Sequence, residues 1–303
     1  MPSKESDALR AHFQSMTDRM AANPQMDLVT LRATLEELHE RAAEPTGVTY
    51  EEIDAGGRPA LWCNPVDATD DRVILYTHGG GFVTNTMHSH RKVAAHLAKA
   101  AGCRALVLDY RLAPEHAFPA QLEDGVAAFQ WLLDQGISAD HIATAGDSAG
   151  GNLATAIALK LREDGKAMPA AVIGFSPWYD LEAKGSSFES NAATDAFVQK
   201  AVVDNLADWF VGAGGSKQDP LANPGYADLA GLPPLFLTVG DAETLQSGVE
   251  EFADKAKNAG VEVTLEVAEG QQHVHPFMAG RAPEADSTIA DAGRWVRSKL
   301  GLV

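Results

Sequence analysis

The feature that most constrains this chain is the stretch 142–161. Ile142-Ala143-Thr144-Ala145 is a short apolar and β-branched run, and it leads into Gly146-Asp147-Ser148-Ala149-Gly150-Gly151-Asn152. Residues 153–161 then follow a helical period. The pattern reads as strand, tight turn, helix. A turn this tight places Ser148 at its apex in a strained backbone conformation, so the positions two before and two after must be small, and both are glycine. The strain lifts the hydroxyl clear of the sheet and leaves the Ala149 N–H at a helix N-terminus, aimed at an oxyanion formed there. A glycine-rich turn whose serine only caps the helix would look the same locally, so the rest of the chain must decide.

That rest alternates strands and helices. Residues 48–53 and 60–64 read as short strands around Gly56-Gly57, and 73–77, 105–110, 171–175, 234–239 and 261–267 read as further strands. Helices are expected near 89–101, 122–135, 246–259 and 285–300, with two amphipathic helices, 5–22 and 27–43, before the first strand. Such alternation implies a mostly parallel sheet covered on both faces, whose loops beyond the carboxyl ends of the strands share one rim. Between 178 and 232 the pattern changes. Trp178, Tyr179, Phe188, Phe197, Trp209 and Phe210 are interleaved with Gly, Ser and Asn around one helix at about 195–211, and this insertion is expected to lie over the carboxyl rim.

Composition narrows the partners. The 303 residues can build one large α/β domain, although length alone would also allow two, and the formal net charge of −18 would repel nucleic acid and acidic membrane surfaces. The cysteines, Cys63 and Cys103, sit in strand-like runs without metal-site spacing and read as packing residues, so no metal and no cofactor is expected. The segment Met1-Pro2-Ser3-Lys4-Glu5-Ser6-Asp7 leads into a mixed polar helix without an apolar core, and no eighteen apolar residues run together. A cytoplasmic protein is expected.

Four loops on the expected rim hold chemically useful groups: His78-Gly79-Gly80-Gly81-Phe82, Ser148, Asp241 with Glu243, and His273 with His275. Acyl transfer needs a nucleophile, a base active near neutral pH, an acid that orients the base, and donors for the oxyanion. Ser148 supplies the first, a histidine after the last strand the second, and a carboxylate after the preceding strand the third, in the chain order expected of a nucleophile elbow. The N–H groups of Gly80, Gly81 and Ala149 supply the donors.

His78-Gly79-Gly80-Gly81-Phe82, Tyr110-Arg111-Leu112-Ala113-Pro114-Glu115-His116 with Phe118-Pro119-Ala120, and Gly146-Asp147-Ser148-Ala149-Gly150-Gly151-Asn152 resemble the motifs of the hormone-sensitive-lipase family of α/β-hydrolase esterases. The resemblance covers roughly residues 48–300. It implies a single α/β-hydrolase domain over 1–303 with a mostly parallel eight-stranded sheet, and a helical cap formed from 1–45 and about 178–225. It implies a carboxylic-ester hydrolase with oxyanion donors at Gly80, Gly81 and Ala149, the Tyr110–Glu115 loop as a brace, and a pocket at Phe82, Asp147, Trp178 and His275. The family's aspartate position, two before a leucine, is occupied here by Glu243, two before Leu245, which is taken as the acid over Asp241. The family's glycine-x-x-histidine matches Gly270-Gln271-Gln272-His273 and favours His273 as base, leaving His78 and His116 as hydrogen-bonded structural histidines.

The expected activity is hydrolysis of small-molecule esters with short to medium acyl chains. A lactone hydrolase would use the same triad, and a ligand-binding receptor on this fold, as in the plant gibberellin receptors, would lack a triad member that is present here. The resemblance also implies a homodimer through the last strand and helix, although nothing in 262–300 is unusually apolar.

Overall fold

In the computed structural model, residues 2–302 are described, apart from the side chain of His39. Eight strands form one sheet: β1 Val48–Asp54, β2 Pro59–Pro65, β3 Thr69–Thr77, β4 Cys103–Leu108, β5 Ile142–Asp147, β6 Ala171–Phe175, β7 Leu235–Gly240 and β8 Val263–Ala268. Their spatial order is β1-β2-β4-β3-β5-β6-β7-β8. β1 and β2 form an antiparallel hairpin, and β2 joins β4 antiparallel. From β4 to β8 every pairing is parallel. This is the mostly parallel sheet expected from the alternation of elements, with the eight strands that the family resemblance implies.

The helices are α1 Lys4–Ala22, α2 Leu28–Glu36, α3 Met87–Ala101, α4 Ala120–Asp134, α5 Ala149–Glu163, α6 Ser187–Ser190, α7 Lys200–Val211, α8 Gln246–Asn258 and α9 Pro283–Lys299. A parallel strand pair requires a crossover, and α3, α4, α5 and α8 supply the connections between successive strands from β3 to β6 and from β7 to β8. The two-residue period of a strand sends neighbours to opposite faces. Ile74 and Tyr76 of β3, with Ala105 and Val107 of β4, join the core under α1, α3 and α9. Val73, Leu75, Leu106 and Leu108 join the core under α4 and α5. Strands covered on both faces must be continuously apolar, which is why 73–77 and 105–108 read as unbroken runs.

Two expected helices end differently. The second N-terminal helix does not run to 43: α2 stops at Glu36 and tightens into a 3-10 turn over Glu37–Glu40. The insertion helix begins at Lys200 rather than near 195. There the Asp195 carboxylate accepts the N–H groups of Phe197 and Val198, a local side-chain turn like a helix cap, and regular helix follows only from Lys200. Among the described residues no helix is long and apolar enough to cross a membrane.

Candidate active site

Ser148 lies between β5 and α5 with φ 51° and ψ −123°, a conformation costly for a side-chain-bearing residue. Packing holds it there. The Ser148 N–H donates to Phe175 O (2.9 Å) and its carbonyl accepts from Trp178 N (2.9 Å), so the adjacent β6 and its exit loop grip the turn on both sides. The flanking glycines are needed for clearance. A Cβ at Gly146 would lie 2.4 Å from the Gly150 carbonyl, and one at Gly150 would lie 2.0 Å from Thr77 O.

The glycine loop after β3 is shaped by the same economy. Gly80 and Gly81 have φ of +109° and +63°. A Cβ at Gly79 would meet Asp147 Oδ2 at 2.2 Å. Among the described residues no protein group accepts the N–H of Gly80 or Gly81. Those donors, with the Ala149 N–H at the start of α5, are free for an oxygen in the cavity.

Glu243 and His273 come from the loops after β7 and β8. His273 Nδ1 lies 2.6 Å from Glu243 Oε2, with both side chains buried. Glu243 Oε1 accepts the Ser176 hydroxyl (2.7 Å) and the Gly240 N–H (2.5 Å), so both carboxylate oxygens are directed. Burial disfavours charge on His273. The Glu243 carboxylate outweighs that effect, aided by Asp195 and Asp147, and holds its pKa above the ordinary histidine value. Asp241 turns away: its Oδ1 accepts the Gly270 N–H at 2.5 Å. The acid that the structure brings to the histidine is Glu243.

A second buried acid–histidine contact lies beneath the glycine loop. Asp147 Oδ1 accepts from Tyr76 OH (2.7 Å) and from the Gly79 N–H (3.2 Å), and Oδ2 lies 3.1 Å from His90 Nε2. Burial works to raise the Asp147 pKa, but His90 and the Tyr76 hydroxyl more than offset it, leaving it below the usual aspartate value. His78 stacks on Tyr110 with ring centroids 4.2 Å apart, and burial pushes its pKa down to about 3, so it is neutral.

Ser148, Gly80, Gly81, Asp147, Trp178 and His273 line one cavity of about 100 Å³. The rest of the lining is mainly apolar: Met20 of α1, Leu31 and Leu35 of α2, Phe197, Val198, Val203 and Leu206 from the insertion, and Phe277. Two expected pocket residues are not there. Phe82 is wholly buried, stacked on Phe210 at 3.7 Å, because its positive φ turns it away into the core. His275 points behind the base loop, where Nε2 meets Thr288 Oγ1 at 2.9 Å and burial lowers its pKa to about 4. His116 is exposed rather than a hydrogen-bonded structural ring; its backbone N–H donates to Leu112 O.

Sequence reading missed Ser176, which bonds Glu243 and accepts the Val274 N–H (3.0 Å), and it missed His90. Neither sits in a motif, and their partners lie far away along the chain. The one signal available for Ser176 was its position at the carboxyl end of a core strand.

A family model described as an alpha/beta hydrolase fold matches residues 74–277. An acetyl-hydrolase of Streptomyces hygroscopicus is 37% identical over 249 residues, covering 82% of this chain and 83% of that protein. An esterase of Acinetobacter venetianus is 31% identical over 252 residues, covering 83% and 80%. A crystal structure of an esterase from the bacterial hormone-sensitive lipase family superposes with a TM-score of 0.94 at 42% identity, covering 99% of this chain and all of that one. A crystal structure of EstE5 soaked with p-nitrophenyl butyrate superposes with a TM-score of 0.90 at 34% identity, covering 99% of each chain.

Proposed function

Because this chain belongs to the hormone-sensitive-lipase family of α/β-hydrolase esterases, we propose that it hydrolyses carboxylic esters with short to medium acyl chains through an acyl-enzyme on Ser148. The observation that carries the reading is the convergence of Ser148, the His273–Glu243 pair and the glycine-loop N–H groups on one cavity.

In this reading the Ser148 hydroxyl attacks the ester carbonyl carbon while His273 Nε2 takes its proton. Glu243 holds the Nδ1 proton, fixing the tautomer and favouring the imidazolium that forms. The N–H groups of Gly80, Gly81 and Ala149 receive the oxyanion, and losing one such donor costs roughly 3–4 kcal/mol of transition-state stabilisation. His273 then protonates the departing alkoxide, and a water molecule, deprotonated by the same ring, hydrolyses the acyl-enzyme. A cavity of about 100 Å³ favours a short acyl group. Its apolar lining within a chain of net charge −18 disfavours anionic substrates. The N-terminal helices and about 178–225 act as the cap that sets this volume, and the protein acts in the cytoplasm on small molecules.

Ser148→Ala tests the reading. Hydrolysis of p-nitrophenyl acetate should fall by about 10⁵-fold or more while the melting curve is unchanged, the scale expected for loss of a nucleophile acting within a triad. Retained turnover would remove Ser148 from the chemistry.

A further inference from the structure

Asp195 is a buried carboxylate with no part in the mechanism above. It lies in the insertion between β6 and β7 and is 3% exposed. Its Oδ1 accepts the N–H groups of Phe197 (2.9 Å) and Val198 (2.8 Å). Its Oδ2 accepts the N–H (2.7 Å) and the hydroxyl (3.1 Å) of Thr244, the residue that follows Glu243. Three of these partners are backbone N–H groups, donors that favour the ionised carboxylate, while the Thr244 hydroxyl has a single proton to place on Asp195 Oδ2 or on Val198 O (3.0 Å).

The segment around Asp195 is fastened to both triad loops. Asn191 Nδ2 donates to the carbonyls of Asp241 (3.0 Å) and Glu243 (2.9 Å). On the base loop, Gln272 Nε2 donates to Thr194 O and Gln272 Oε1 accepts the Ala196 N–H, each at 2.9 Å. From the outside, Thr17 of α1 donates to Ala196 O (2.8 Å), and Phe13 stacks on Phe197 at 4.5 Å.

We propose that Asp195 is a positioning residue for the Glu243–His273 pair, holding the acid loop and the base loop against residues 191–198 and contributing negative charge beside the imidazole. The proposal rests on the assignment of Glu243 and His273 as acid and base. Its physics is local. Without the Oδ2 acceptor the buried Thr244 N–H has no partner, and the cheapest relief is movement of the turn that carries Glu243. The charged groups that bear on His273 are Glu243 from the acid loop, Asp195 from the insertion and Asp147 from the end of β5. Burial raises the Asp195 pKa above the ordinary aspartate value; the charge of His273 and the N–H groups of Thr244 and Phe197 act against that rise, and the charge of Glu243 adds to it.

The test is Asp195→Asn, close in shape but uncharged and with one acceptor oxygen, so it can satisfy the Thr244 N–H or the Phe197 and Val198 N–H groups but not both. With p-nitrophenyl acetate, kcat should fall by about ten-fold or more, the scale of a slightly misplaced catalytic group. KM should stay within about two-fold. The acidic limb of the pH–rate profile should move to lower pH, because one anion that favours the imidazolium has gone. A folded variant with wild-type kcat and limb would overturn the proposal, as would a raised KM with unchanged kcat. Thr244→Val removes only the hydroxyl bonds and keeps both the charge and the backbone N–H bond to Oδ2, so kcat should stay within about two-fold with the limb in place; a fall as large as that of Asp195→Asn would put the effect in the hydroxyl and overturn the proposal. Failure of both variants to fold, seen by circular dichroism, would show that these bonds serve the fold rather than the pair. Full activity in Glu243→Ala would instead overturn the triad assignment, whatever the Asp195 variants do.

Discussion

At the scale of single residues, the glutamate at 243 is held by what surrounds it. Ser176 and the Gly240 N–H fix one oxygen so that the other meets His273 at 2.6 Å. Asp241 is exposed and spends its carboxylate on the Gly270 N–H. Glu243→Ala should therefore cost about 10⁴-fold in kcat, the scale for loss of the orienting acid of a triad, and Asp241→Ala no more than a few-fold. Kinetics of the two variants at one pH decide it, and the reverse ranking would move the acid. The pH profile carries a second expectation. The base works only as the neutral imidazole, and the anions around His273 raise its pKa. Activity should rise with pH through a limb above the ordinary histidine range; a profile flat from pH 5 to 9 would remove the histidine base.

At the scale of elements, α7 supplies Val202, Val203 and Leu206 to the cavity wall. Val203, Ala207, Phe210 and Val211 form its buried face, and Phe210 stacks on Phe82 just after the glycine loop. Leu206 leans over that loop so closely that a Cβ on Gly81 would lie 2.6 Å from its Cδ1. Leu206→Ala should open the cavity and raise the hexanoate-to-acetate ratio of kcat/KM by about ten-fold, the worth of one or two methylene contacts. An unchanged ratio on a panel of p-nitrophenyl esters would show that the acyl chain lies elsewhere. The same element marks where sequence reading stops. Ser148, Gly80 and Gly81 were legible because a strained turn and a donor-lined loop restrict residue type over a few neighbouring positions. Phe82 departs from the expected pocket position because neighbouring glycines do not specify which way an aromatic ring leaves a left-handed backbone. Ser176, His90 and Asp195 were invisible because each is defined by partners that only tertiary folding brings near.

For the molecule as a whole, two of the buried histidines couple stability to acid. His275 and His78 are held neutral, with pKa values lowered by burial to about 4 and about 3. Unfolded, each titrates near the ordinary histidine value of about 6.5. Their contribution is therefore intact above that pH and is lost as pH falls below it, because the unfolded chain takes up protons that the folded chain refuses. Together they should cost up to about 2 to 3 kcal/mol per pH unit between pH 5.5 and 4.5. Urea unfolding at several pH values measures the slope. Comparison with His275→Gln separates it from the relief of repulsion on a chain of net charge −18, and equal slopes in both proteins would refute it.

The carboxamide of Asn152 in α5 donates to Trp178 O (2.9 Å) and to Ala222 O (3.0 Å), and so clasps the insertion where it leaves and where it returns. A peptide excursion closed at its base is an interchangeable module, much as a hypervariable loop is on a rigid scaffold. Residues 191–198 are sewn to the acid and base loops, so the part open to exchange with a relative begins only after Val198 and ends before Ala222. That interval carries Val203 and Leu206 of the cavity wall, and a graft that keeps Leu206 against the glycine loop and Phe210 on Phe82 is expected to alter selectivity.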